Sequence, residues 1–70
     1  MDDDNNTRVA RAIYRAREGL GITQTELARR LGLSRTAIYN WERGETTPSA
    51  NRLREVARAL GLDLEVLVPQ

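Results

Sequence analysis

The sequence predicts an all-α domain of five short helices. Three observations carry that expectation. Apolar residues recur at three- and four-residue spacing in several segments. Glycine or proline punctuates the chain between them, at Gly19, Gly21, Gly32, Gly44, Pro48, Gly61 and Pro69. No stretch of useful length alternates apolar and polar residues as a half-buried strand would, and there is no internal repeat or low-complexity tract. Seventy residues suffice for one domain with a modest core.

Each element has its own signals. The first helix is expected over Thr7 to Gly19, with Val9, Ile13, Ala16 and Leu20 as its apolar stripe. Asp4, Asn5, Asn6 or Thr7 offers a cap, and Gly19 and Gly21 end it. Residues 1–6, MDDDNN, read as an acidic disordered tail, which leaves the domain over 7–68. Thr23 caps the second helix, and Glu26 three residues later completes a capping box. Leu27, Ala28 and Leu31 face inward there, and Gly32 supplies the left-handed turn that follows. Ser34 caps the third helix, which runs to Gly44 and turns Ala37, Ile38 and Trp41 inward. Residues 45–48 form a loop closed by Pro48. Ser49 caps the fourth helix, whose inner face is Leu53, Val56, Ala57 and Leu60, and Gly61 ends it. Asp63 caps a last short turn holding Leu64 and Leu67, and Pro69 ends the structure.

Residues 24–43, QTELARRLGLSRTAIYNWER, are the most informative stretch. Two short helices meet at a tight turn on Gly32, with Ala28 as the small residue where they approach. That is the layout of a helix-turn-helix, whose second helix suits the DNA major groove.

Composition removes most competing chemistry. The chain has no cysteine and no histidine, so it lacks disulfides, thiolate ligands, the usual metal ligand and the usual general base. There is no lysine either, and no glycine-rich phosphate loop. No constellation supports an enzyme or nucleotide binder, and neither a cofactor nor a metal is expected. No apolar run approaches the ~20 residues that span a bilayer. The acidic N-terminus is the reverse of a signal peptide, so a soluble cytoplasmic protein without a membrane partner is expected. Net charge is only +1, but beyond Asp4 the 11 arginines face seven acidic residues, a balance of +4. Arginine carries a fixed charge and a forked donor that matches phosphate and guanine.

The run TQTELARRLGLSRTAIYNWERGETTPSANRLREVARALGL resembles the phage-repressor and Cro-like, or XRE-like, helix-turn-helix family. The likeness rests on Gln24, Ala28, Gly32 and the apolar set, followed in order by Glu42, Gly44, Pro48 and the A-x-A-L-G of the fourth helix. It covers nearly the whole chain. It implies a lambda-repressor-like DNA-binding domain with the helix-turn-helix formed by helices 2 and 3. The function implied is sequence-specific regulation of transcription on a double-stranded DNA operator, by a repressor, Cro-like switch or restriction controller bound as a homodimer. Half-sites would lie roughly 34 Å apart. An antitoxin is the alternative: a protein-binding module that neutralises a toxin and autoregulates its operon. Polymerase is a further partner in the regulator reading.

The resemblance places Arg35, Thr36 and Asn40 at base edges, with Tyr39 on their flank. Helical spacing independently leaves these four on the outer face once Ile38 and Trp41 turn inward. Arg35 suits guanine O6 and N7, Asn40 suits adenine, and Thr36 suits a thymine methyl or a phosphate. For Arg35 a plain phosphate contact or a solvated surface arginine is the other reading. Gln24, Arg43, Thr46 and Thr47 match the family's phosphate contacts, and the matching glutamine there also buttresses the recognition helix; a surface glutamine that merely caps is the other reading of Gln24, and turn formation explains the threonines equally well. Arg8, Arg11, Arg15 and Arg52 are unspecific candidates for the DNA flank. Arg17 and Glu42 match a buried ion pair that would set the angle of the third helix. The C-terminal Leu62, Leu64, Val66, Leu67 and Val68 either seal the core or form a two-fold contact.

Overall fold

All four α-helices stop in the same way. In a computed structural model that describes residues 5–68, they are α1 (Asn5–Leu20), α2 (Gln24–Leu31), α3 (Arg35–Glu42) and α4 (Ala50–Leu60), followed by a 3-10 turn, Leu64–Val66. The fifth predicted helix is therefore this single turn. After each α-helix, a glycine N–H and the N–H that follows it bond back to carbonyls in the last turn. For α2 these bonds are Gly32 N to Arg29 O at 3.2 Å and Leu33 N to Ala28 O at 2.8 Å. This double closure satisfies carbonyls that would otherwise be orphaned. Gly32 takes φ +70° with open space around it, a backbone that any side chain would strain.

Starts are less uniform. The hydroxyls of Thr23 and Ser34 accept from the Glu26 and Ala37 N–H groups at 3.0 and 3.3 Å. The reciprocal half of the predicted capping box is replaced, because the two Glu26 carboxylate oxygens accept from Arg29 and Arg30. Ser49 and Asp63 hold N-cap positions without a side-chain cap bond. Asn5 and Asn6, read from sequence as tail, form the first turn of α1. Asn5 Oδ1 accepts locally from Arg8 Nη2 at 2.8 Å, whereas the partner of Asn6 is distant: its Nδ2 donates to Gly44 O at 3.4 Å. Gly19 continues α1 instead of ending it, and Gly21 provides the stop. The predicted tail over 1–4, the Asp4 cap and the Pro69 stop lie outside the described residues.

The core draws on every helix. Val9 and Ile13, Leu27 and Ala28, Ile38 and Trp41, and Val56, Ala57 and Leu60 form one cluster, which Leu67 seals from the C-terminal side. Ala16, Leu31, Leu33, Leu53 and Leu62 are partly buried against it. Leu20 does not join the α1 stripe; it is 50% exposed, because the helix ends there and the chain turns at Gly21. The C-terminal apolar set divides. Leu67 and Leu62 pack inward, whereas Leu64 and Val66 are 37% and 38% exposed. Arg8 fixes this turn by donating to Val66 O and Val68 O.

Candidate nucleic-acid interface

The outer face of α3 is set by what its inner face must bury. Ile38 is fully covered and Trp41 nearly so. A helix of eight residues is about 12 Å long, and its 100° step then turns Arg35, Thr36 and Tyr39 outward. All three are exposed. Ala37 and Asn40 lie at the boundary and are half-buried.

Tyr39 organises the charges on this face. The Arg35 and Arg43 guanidinium carbons lie 5.7 and 5.3 Å from its ring centre, within cation–π range. Arg43 also pairs with Glu45 at 3.2 Å, with both side chains about half exposed. Salt screens such a pair, and it opens readily. Thr46 is exposed and Thr47 half-buried. The Thr46 N–H turns back toward Asn40 O at 3.4 Å, which leaves its hydroxyl for any outside partner. Gly44, with φ +77°, brings this loop against α1, where an added Cβ would lie 3.9 Å from the Thr7 hydroxyl.

Beneath the face lies a polar chain of which the sequence points to one link, Arg17 with Glu42. Arg17 Nε donates to Glu42 Oε2 at 2.6 Å and Nη2 donates to Oε1 at 3.0 Å, in a bidentate geometry. Arg17 Nη1 donates to Ile22 O at 2.8 Å, and Nη2 reaches Glu18 at 3.5 Å. Both members of the central pair are more than nine-tenths buried. The hydrogen bonds to Glu42 raise the Arg17 guanidinium above its ordinary value, against the opposing effect of burial. Gln24 extends the chain outward. Its Nε2 donates to Glu42 Oε1 at 3.0 Å, and its Oε1 accepts from Arg35 Nη1 at 3.0 Å. The Gln24 amide, expected from sequence as a phosphate ligand, is engaged at both ends by its own chain. One amide N–H remains, together with the backbone N–H groups of Gln24 and Thr25 at the start of α2, which have no intrahelical acceptor.

Two of the unspecific arginines have internal duties. Arg8 clamps the C-terminal turn, and Arg52 donates to Leu31 O and pairs with Glu55, both at 3.2 Å. Arg15 is exposed on α1. Among the described residues no cluster of acidic side chains could hold a metal ion, and no helix is long and apolar enough to cross a membrane.

Four helices around one core, with an arginine-flanked tyrosine on the outer face of the third, define a helix-turn-helix domain. The chain belongs to the helix-turn-helix family HTH_3, which matches residues 13–67. It is 47% identical over 45 residues to an uncharacterised HTH-type transcriptional regulator of Methanothermobacter thermautotrophicus, covering 64% of this chain and 65% of that one. It is 44% identical over 46 residues to the ImmF control region 10 kDa protein of Bacillus phage phi105, covering 66% and 51%. The chain thus spans less than two thirds of the length of these curated relatives. Among solved structures it is similar to the P22 c2 repressor protein in complex with synthetic operator 9T. That match has a TM-score of 0.78 and 31% identity over 96% of each chain.

Proposed function

We propose that this chain is a sequence-specific, double-stranded DNA-binding transcriptional regulator that reads the major groove with α3. The observation that carries the reading is the division of that helix. Ile38 and Trp41 are buried, while Arg35, Thr36 and Tyr39 are exposed on one face beside Arg43. Arg35, Thr36, Asn40 and Tyr39 then address base edges, and Gln24, Arg43, Thr46 and Thr47 address phosphate. The resemblance to a repressor solved with its synthetic operator supports the same reading. Action is by occupancy of DNA, without catalysis, in the cytoplasm alongside the operator.

Two copies act together. The molecule measures 32 × 22 × 20 Å and carries one recognition helix. A second major groove on the same side of the duplex lies about 34 Å away, beyond the reach of a single copy. Leu64 and Val66, exposed on the C-terminal turn, are the apolar groups proposed to meet across the two-fold axis.

Selection of bound duplexes from a random DNA pool tests both parts. The expected product is a palindromic motif with half-sites one helical turn apart. A pool that enriches no motif, or crosslinks confined to the α1 and α4 surfaces, would overturn the reading.

A further inference from the structure

Arg35 projects from the first turn of α3 into solvent, yet its guanidinium is tied down twice. Nη1 donates to Gln24 Oε1 at 3.0 Å, and the group lies 5.7 Å from the Tyr39 ring centre. Among the described residues, the opposite edge of the guanidinium, Nε and Nη2, carries no intramolecular bond. The orientation has a chemical origin deeper in the protein. A glutamine side chain accepts at one end and donates at the other, whereas an ionised carboxylate only accepts. Glu42 therefore admits only the NH2 end of Gln24, at 3.0 Å, and Oε1 is left pointing at position 35. Arg17 prevents Glu42 from turning, because it engages both carboxylate oxygens. An acceptor presented to position 35 calls for a donor there, and Arg35 answers with one N–H and keeps four.

We propose that Glu42, through Gln24, sets which edge of the Arg35 guanidinium meets DNA and thereby makes this chain select guanine at one position of each half-site. This rests on the reading of α3 as the helix that enters the major groove. Nε and Nη2 form a parallel donor pair of the kind that guanine O6 and N7 accept, and adenine presents a donor at one of those two places. Glu42 is buried and touches no base; it is a positioning residue for specificity. Holding Arg35 before binding also removes part of the entropy that a free arginine loses on docking.

The test is duplex selection with the wild-type chain, Glu42→Gln, Gln24→Leu and Arg35→Ala. Glu42→Gln keeps the shape but offers a donor as well as an acceptor, so Gln24 is no longer held one way round. Gln24→Leu removes the acceptor while leaving the Arg17–Glu42 pair in place, at a half-exposed site. The wild type should prefer guanine at one half-site position by roughly 5- to 150-fold. Both relay variants should bring that preference toward parity at the position that Arg35→Ala also flattens, with the rest of the motif and its spacing kept. A merely structural role would weaken all sequences alike and leave the base preference intact. Full guanine preference in Gln24→Leu, or equal loss at every position, would overturn the relay. A wild-type motif that survives in both variants ends the relay alone; a wild-type pool without a motif ends the reading of α3, and the relay's role with it.

Discussion

Arg17 Nε donates to Glu42 Oε2 across 2.6 Å, and this bond joins the last turn of α1 to the last residue of α3. Removing one member of so buried a pair leaves the other charge without a counter-ion. Glu42→Ala should therefore cost about 3–5 kcal/mol in chemical unfolding, as for other broken buried pairs. Glu55→Ala, which breaks the exposed Arg52–Glu55 pair, should cost about 0–1 kcal/mol. Similar losses in the two variants would refute the contrast. The pH behaviour follows from the raised Arg17 value. Its contribution is fully present below the ordinary arginine value and is lost only as pH climbs through the still higher folded value. Arg17 should accordingly add no slope to stability near neutral pH.

Two glycines with equally open surroundings should respond in opposite directions. Gly32 is left-handed at φ +70°, whereas Gly19 lies within α1 and has no positive φ. Gly32→Ala should destabilise by about 1–2 kcal/mol, the backbone cost of a Cβ in that region. Gly19→Ala should stabilise by about 0.5–1 kcal/mol, because alanine loses less entropy in a helix. Thermal melts of both variants read the sign directly.

Arg35 and Arg43 flank one tyrosine, but they are assigned different work on DNA. Arg35→Ala should cost about 1–3 kcal/mol of binding and relax one base position. Arg43→Ala should weaken all duplexes alike and lower the salt-dependence slope by about 1. Competition binding at two salt concentrations separates the two outcomes, and identical profiles would count against the assignment.

The exposed apolar pair on the C-terminal turn gives a test of assembly. Leu64→Glu together with Val66→Glu should leave the melting temperature nearly unchanged, since neither side chain belongs to the core cluster. Sedimentation on operator DNA should then show lower cooperativity and a single copy bound at concentrations where the wild type binds as two. Unchanged stoichiometry would move the two-fold contact elsewhere.

Local signals were legible in the sequence, whereas of the long-range polar contacts only the Arg17–Glu42 pair was, through the family resemblance. Thr23, Ser34 and Gly32 act on neighbours within a few residues, so residue type alone announces their roles. Ile38 and Trp41 follow from helical spacing. Gly19 misled because its cost in a helix is small and the real stop lies two residues later, at Gly21. Asn6 looked like tail because its bond reaches Gly44, 38 residues away. Gln24 was placed correctly at the start of α2, but its two partners, Glu42 and Arg35, come together only once α1, α2 and α3 have docked. Arg8 carries no local mark of its grip on the C-terminal turn, for the same reason.

That grip couples the two extremities of the described chain. The opening turns of α1 and the segment around Leu64–Val66 share a guanidinium, so neither frays independently of the other. Amide exchange should report them as one cooperative unit, losing protection together when Arg8 is shortened.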